Sequence, residues 1–266
     1  MTQPILVTGG TGTLGRHVVQ RLVAAGRPVR VLTREAREPL DGVEYVLGDL
    51  EADTGVAAAV AGVATVLHCA GSGTGDARKA ETLVAAAVAA GVDHIVYISV
   101  VGADRIPVVT GNDRRMFGYF EQKRLAEVAV EESGIPFTIL RATQFHDLVL
   151  IVATAMTRLW VIPFPLLRAQ PVAADEVADR LVELALGDPA GLVPDLGGPE
   201  VLDGRELLRD YARRTGRRRV ILPIGLVGGA ARAMVDGANL TLEPGTGRGT
   251  WEGFLRHLLP SAPRRP

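Results

Sequence analysis

Eight residues near the start of the 266-residue chain, Thr8 to Gly15 (TGGTGTLG), have the types and spacing of a phosphate cradle. They follow the apolar run Ile5-Leu6-Val7 and lead into Arg16-His17-Val18-Val19-Gln20-Arg21-Leu22-Val23, a helical pattern. A buried strand, a glycine turn and a helix in that order bind a nucleotide diphosphate. Gly9 permits a tight turn, Gly12 lets the backbone approach the pyrophosphate, and Gly15 lets the helix pack closely on the strand. Thr11, Thr13 and Leu14 complete the loop. The helix N-terminus adds free N–H groups and the positive end of its dipole.

Further along, other loops carry the groups that would hold the rest of a dinucleotide. In this architecture the end of the second strand faces the adenosine ribose, where a carboxylate repels a 2′-phosphate and an arginine attracts it. The chain reads Val31-Leu32-Thr33-Arg34 there, with no acid before Glu35, so NADP(H) is expected over NAD(H). Arg16 could reach the same region. Asp49 and Leu50 follow the third strand, where a carboxylate can receive the adenine amino group; alternatively Asp49 caps the helix beginning near Asp53. Ala70 and Gly71 end the fourth strand and are small where the cofactor would pass.

These loops need a scaffold. Apolar runs of strand length at 4–8, 28–33, 43–47, 63–70, 93–99 and 136–141 alternate with helical patterns at 13–25, 53–61, 77–90 and 117–133. Such alternation predicts an α/β fold, a Rossmann-type doubly wound parallel sheet with helices on both faces. After residue 142 the pattern loosens. Asp175 to Leu186 reads as a helix, 192–208 as a short strand, a turn and a helix, Arg219 to Pro223 as a strand, and 226–236 and 249–259 as helices. This predicts a small C-terminal α/β substrate lobe. The expected organisation is a single domain over 1–259, with the cofactor part at about 1–142, lobe segments at about 143–259, and a flexible tail at 260–266.

Composition bounds the rest. The chain is 47% hydrophobic, and 29 Lys and Arg balance 30 Asp and Glu, so no long-range attraction to nucleic acid or membrane is expected. The apolar stretch 148–167 is half a membrane crossing followed by a broken period, and it reads as a buried helix and loop over a ligand cleft rather than a membrane-surface segment. One cysteine, Cys69, excludes an internal disulfide and fits a reducing, cytoplasmic compartment. The N-terminus enters a strand directly, with no export signal in view. Five scattered histidines lack ligand spacing, so no metal site is expected. The arginine run at 213–219 ends a predicted helix without interleaved aromatics and reads as a solvated helix end. The Gly-x-Ser-x-Gly and Walker patterns are absent.

Taken together, TGGTGTLG at 8–15, GDL at 48–50, HCAG at 68–71, YISVVGAD at 97–104 and YFEQK at 119–123 resemble the NmrA-like, NAD(P)-binding branch of the atypical short-chain dehydrogenases/reductases, over roughly residues 4–200. The resemblance implies that Tyr119 and Lys123 match the family's Tyr-x-x-x-Lys element, which a helix places on one face one turn apart. Lys123 would then bind the nicotinamide ribose and lower the phenol pKa, and Tyr119 would give a proton to a carbonyl oxygen as hydride arrives. Ser99 lies near the family's third catalytic position, although Val100 stands where active members of the extended branch often carry a second hydroxyl. The other readings are a backbone-bonded Ser99 and a Tyr119 packed into the core with Phe117 and Phe120. Ala142 and Thr143 would border the nicotinamide, and Gln144, Phe145, His146 and Trp160 the substrate.

The resulting expectation is an NADPH-dependent oxidoreductase acting on an apolar carbonyl, enone or quinone-type small molecule. A non-catalytic NADP(H)-sensing protein is the alternative, and a nucleotide-sugar epimerase or dehydratase the third. The expected partners are a small apolar substrate and, as in many family members, further copies of the chain, with neither nucleic acid nor membrane.

Overall fold

The computed structural model describes residues 3–241 and 247–259; the tail expected at 260–266 lies outside them. In chain order the first part runs β1 (Ile5–Thr8), α1 (Thr13–Ala24), β2 (Val29–Thr33), β3 (Val43–Leu47), α2 (Val56–Val60), β4 (Thr65–His68), α3 (Asp76–Ala90), β5 (His94–Val100), α4 (Gly111–Glu131) and β6 (Phe137–Ala142). The second part runs α5 (His146–Met156), β7 (Val161–Pro165), β8 (Arg168–Ala169), α6 (Ala174–Leu186), β9 (Gly191–Leu192), β10 (Leu202–Asp203), α7 (Gly204–Arg214), β11 (Val220–Ile224), α8 (Gly229–Asp236) and α9 (Trp251–Leu258). The central sheet has the order β3-β2-β1-β4-β5-β6-β9, and every pairing in it is parallel. This is the doubly wound arrangement the alternating pattern predicts, with its switch point between β1 and β4.

Period-2 alternation sorts the strand residues onto two buried faces. Val7, Leu67, Val96 and Leu140 meet α1 and α6 on one side. Leu6, Val66, Ile95 and Ile139 meet α2, α3 and α4 on the other. Both faces are apolar because helices cover both, as a parallel sheet requires.

Three differences from the sequence reading have physical causes. Helix α4 begins at Gly111 rather than 117, because Thr110 and Asp113 form a reciprocal capping box: the Asp113 N–H donates to Thr110 Oγ1 (3.1 Å) and the Thr110 N–H donates to Asp113 Oδ2 (3.0 Å). Helix α6 and strand β9 belong to the central sheet layer rather than the lobe: Val177, Leu181 and Ala185 pack beside α1, and β9 adds the seventh strand. The lobe is instead built on a cluster of Ala153, Ile162, Leu207, Tyr211, Trp251 and Leu255. Finally, the segment 148–167 is only partly buried: Ala153, Thr157 and Ile162 are enclosed, but much of its apolar surface is not. Leu148, Ile151 and Val152 of α5, and Leu159, Trp160 and Val161 after it, are exposed.

Helix α4 is tied to the sheet by charge. Glu127, fully buried, accepts from Arg141 of β6 at both oxygens, Nε to Oε1 at 2.8 Å and Nη2 to Oε2 at 2.7 Å. Arg124 Nη1 donates to the same carboxylate at 2.9 Å, and Arg141 Nη1 pairs with Asp104 at 2.7 Å. Breaking such a pair strands an uncompensated buried charge. Glu127→Ala should therefore lower the unfolding free energy by about 3–5 kcal/mol in urea denaturation, and a loss below about 1 kcal/mol would show that the pair contributes little.

Candidate functional site

The glycine turn is fixed by lack of room. Gly9 has a φ of +69°, and a Cβ on it would lie 2.7 Å from the backbone of Cys69 and Ala70 at the end of β4. A Cβ on Gly15 would lie 2.1 Å from the Gly9 carbonyl oxygen. Side chains at either place would push three backbones apart. The Gly12 N–H donates to the Gly9 carbonyl at 2.9 Å, and Gly12 caps α1 without a side chain, leaving the helix end open.

Around this turn the C-terminal ends of β1 to β4 form a groove. It is lined by Thr8, Gly9, Thr11 and Gly12, by Leu32 to Arg34, by Gly48 to Glu51, by Cys69 to Ser72, and by Lys79 of α3. The sequence-derived Gly9, Thr11, Gly12, Arg34, Asp49, Leu50, Ala70 and Gly71 thus meet in one place. Thr13, Leu14, Gly15, Ala142 and Thr143 are not among the lining residues. Leu14 is in the core, and the Thr143 hydroxyl donates to the Gln170 carbonyl at 2.5 Å. Asp49 Oδ1 accepts the Glu51 N–H at 2.8 Å, and the helix after it starts only at Val56, so this carboxylate shapes its own turn. Arg16 is exposed and outside the lining set.

Lys123 lies directly behind the groove wall: a Cβ on Gly71 would be 3.2 Å from its Nζ. That ammonium is buried, donates to the Ile98 carbonyl at 3.3 Å and pairs with Asp76 Oδ2 at 3.4 Å. It sits 5.1 Å from the Tyr97 ring centre and 5.9 Å from that of Tyr119. Asp76, fully buried at the start of α3, also accepts the Ser72 N–H at 2.9 Å. Asp76 and Lys79 were absent from the sequence reading. Lys79 lay in an Ala-rich helix with no motif around it, yet its Nζ reaches Ser72 Oγ and the Thr74 carbonyl at the groove edge.

Several buried polar atoms here have no hydrogen-bond partner among the described residues: His68 Nε2, Tyr97 Oη and Ser99 Oγ. Such atoms are costly in a finished core and common beside a ligand site. With the side-chain-free cradle, they make the residues present a fit for a dinucleotide. Burial pushes the His68 imidazole down to about 3, and the nearby Lys123 charge acts in the same direction. Burial raises the Cys69 thiol to about 12, so it stays an inert thiol. Tyr119 is 36% exposed. Its phenol is held above its ordinary value by desolvation, with Lys123 opposing, so the lowering expected from Lys123 does not prevail.

The residues expected to border the substrate are dispersed. Gln144 is a clasp, its Nε2 donating to the Asn239 carbonyl at 3.1 Å and its Oε1 accepting the Gln170 N–H at 3.1 Å. Phe145 caps α5 and packs against the sheet cluster. His146 is buried, stacked on Phe254 at 5.0 Å, and its pKa is lowered by burial. Trp160 is 77% exposed, beneath the Arg219 guanidinium at 4.8 Å.

Fold and groove together define a nicotinamide-dinucleotide-binding protein of the Rossmann type. Residues 9–186 match the NAD(P)H-binding family. The chain is 32% identical over 222 residues to (4-alkanoyl-5-oxo-2,5-dihydrofuran-3-yl)methyl phosphate reductase of Streptomyces griseus subsp. griseus, covering 80% of this chain and 74% of that one. It is 30% identical over 222 residues to the NAD(P)H azoreductase of Xenophilus azovorans, with the same coverage, 80% and 74%. Among solved structures, a nucleoside-diphosphate-sugar epimerase from Staphylococcus aureus superposes with a TM-score of 0.73 at 18% identity, covering 95% of this chain and 99% of that one, which shows the shared fold. The chain belongs to the NAD(P)H-binding family.

The His68 environment gives a pH prediction. Unfolded, its imidazole takes up a proton below about pH 6.5; folded, it refuses one until about pH 3. Stability therefore rises with pH across that window and falls as pH drops through it. At about 1.4 kcal/mol per unit, moving from pH 6.5 to pH 5 should remove roughly 2 kcal/mol. His94 and His146, both lowered by burial, add in the same direction. Urea unfolding free energies should show a shallower pH slope in His68→Gln than in the wild type; equal slopes would mean that His68 titrates normally.

Proposed function

We propose that the chain is an NADPH-dependent oxidoreductase that reduces a small apolar carbonyl, enone or quinone-type molecule in a reducing, cytoplasmic compartment. The observation that carries this reading is the grouping of Asp76 and Lys123 behind Gly71 of the groove wall with Tyr119 beside Gly73, two residues further along the same loop, where a Cβ would sit 3.9 Å from the Tyr119 ring. Both relatives described above carry reductase names, which supports the class of reaction.

A bound reduced nicotinamide supplies the hydride. Lys123, its buried ammonium behind Gly71, would hold the ribose hydroxyls of that group. Tyr119, its pKa raised, keeps its proton at neutral pH and donates it from the phenol oxygen to the carbonyl oxygen of the substrate as that carbonyl is reduced. Its partial exposure lets solvent return the proton. The Tyr119 ring meets Phe120 edge-on at 5.7 Å, and Phe120 anchors this end of the helix in a buried apolar cluster with Val100, Ile106 and Phe117. Arg34 lines the groove at the end of β2, directly ahead of Glu35, and favours the 2′-phosphate of NADP(H).

Arg34→Ala should weaken NADPH binding by ~1.5–3 kcal/mol, the range of a charged hydrogen bond, and leave NADH binding nearly unchanged. Titration of cofactor fluorescence checks this, and equal losses for both cofactors would remove the role. Tyr119→Phe should cut turnover at least about a hundredfold at unchanged NADPH affinity, measured as loss of nicotinamide absorbance across a panel of quinones, azo dyes, enones and aldehydes. Tight NADPH binding without turnover of any substrate by the wild type would overturn the enzymatic reading.

A further inference from the structure

Strands β7 and β11 form a two-stranded parallel ribbon, with Val161 opposite Val220 and Pro163 opposite Leu222. Its inner side chains, Ile162, Phe164 and Ile221, pack into the lobe cluster. Its outer side chains are also apolar: Val161, Val220, Leu222 and Ile224 are between 39% and 57% exposed. Directly before the two strands, at the same end of the ribbon, lie Trp160 and the arginines 158 and 217–219. Contiguous exposed apolar surface of this kind marks an interaction site.

Charge selects the partner. Residues 148–174 and 211–235, the two segments that supply the ribbon, contain eight arginines and no aspartate or glutamate, in a chain whose overall net charge is −1. Arg158, Arg217, Arg218 and Arg219 have no carboxylate within ion-pair reach among the described residues. Arg217 and Arg219 donate instead to the Thr157 carbonyl, and Arg219 lies over the Trp160 ring. The occupant must therefore be anionic at one rim and apolar in the middle. A second copy fits poorly: it would bring the same uncompensated arginines, and Pro163, Pro165 and Pro223 remove N–H donors from both strands, which discourages strand addition at the edges. Tryptophan at the rim of an apolar face, with arginines that lay their stems along it, is the pattern of the bilayer interface.

We propose that the outer face of the β7–β11 ribbon docks on an anionic bilayer surface, with its apolar side chains in the headgroup boundary and Arg158, Arg217, Arg218 and Arg219 against lipid phosphates. No helix among the described residues is long and apolar enough to cross a membrane, and the contact is peripheral. It is independent of the reductase reading.

The test uses the full chain with vesicles of phosphatidylcholine alone, and with roughly one-third phosphatidylglycerol added. The chain should sediment with the anionic vesicles and not with the neutral ones. It should be released when NaCl rises from about 0.1 to about 0.5 M. Tryptophan emission should shift to the blue on binding, reporting on Trp160 because Trp251 is already buried. Leu222→Ser and Arg218→Glu, both at exposed positions, should each weaken partition at least about tenfold with unchanged thermal unfolding. Failure to bind anionic vesicles, equal binding to both kinds, or wild-type binding by the variants would overturn the proposal. So would self-association in sedimentation velocity that Leu222→Ser abolishes, since a second copy would then cover the face.

Discussion

The buried carboxylate of Glu127 is the constraint on which the geometry of the site depends. A lone ionised carboxylate in a core costs several kcal/mol, so Glu127 is tolerable only where Arg141 meets it with both arms of its guanidinium. That requirement fixes the rotation of α4 about its own axis against β6. Lys123 is one helical turn before Glu127 and Tyr119 one turn before that, so all three share one stripe. Once Glu127 is locked, Lys123 must point behind the end of β4, and Tyr119 must face the loop that follows it.

The same logic recurs at Lys123. Its ammonium is buried and therefore needs a counter-charge, which Asp76 supplies from the first turn of α3. Between them these two pairs hold α4 to β6 and to α3, so the wall of the groove is rigid on the side that would face the nicotinamide. They also explain the electrostatics around it. The positive charge of Lys123 is largely matched by Asp76, and desolvation then dominates the phenol of Tyr119 and raises its pKa. His68, sandwiched against Tyr97 at 5.3 Å and bonded through Nδ1 to Thr8 Oγ1 at 2.6 Å, remains neutral because burial and the lysine act together.

The groove was legible in the sequence because backbone sterics dictate it. Gly9 and Gly15 must be glycine, and they announce themselves at fixed spacing beside an apolar strand. The sheet was legible for a related reason: strands covered on both faces read as short, continuous apolar runs. Asp76 was not legible, since its partner Lys123 lies far along the chain and only the packing of α3 on α4 brings them together. Nor was the start of α4, where Gly111 and Gly118 dilute the helical signal while a capping box supplies the start that propensity lacks. Helix α6 read correctly as a helix, but nothing local to it shows that it covers the sheet beside α1.

The segment 148–167 shows why apolar content alone does not imply burial. A two-stranded ribbon lying on the lobe has two faces, and alternation assigns one set of its side chains to the core and the other to whatever lies outside. Ile162 and Phe164 behave as composition suggests, whereas Val161 and Pro163 cannot reach the core whatever their hydrophobicity. Net charge misleads for a similar reason. Near-neutrality over the whole chain arises from acids that concentrate outside the two ribbon segments, so an electrostatic argument made from the total describes long-range behaviour and says nothing about this face. The sheet's C-terminal edge and the ribbon's outer face thus follow different rules: the first is set by where a Cβ cannot fit, the second by where charge and apolar area are left uncompensated after folding.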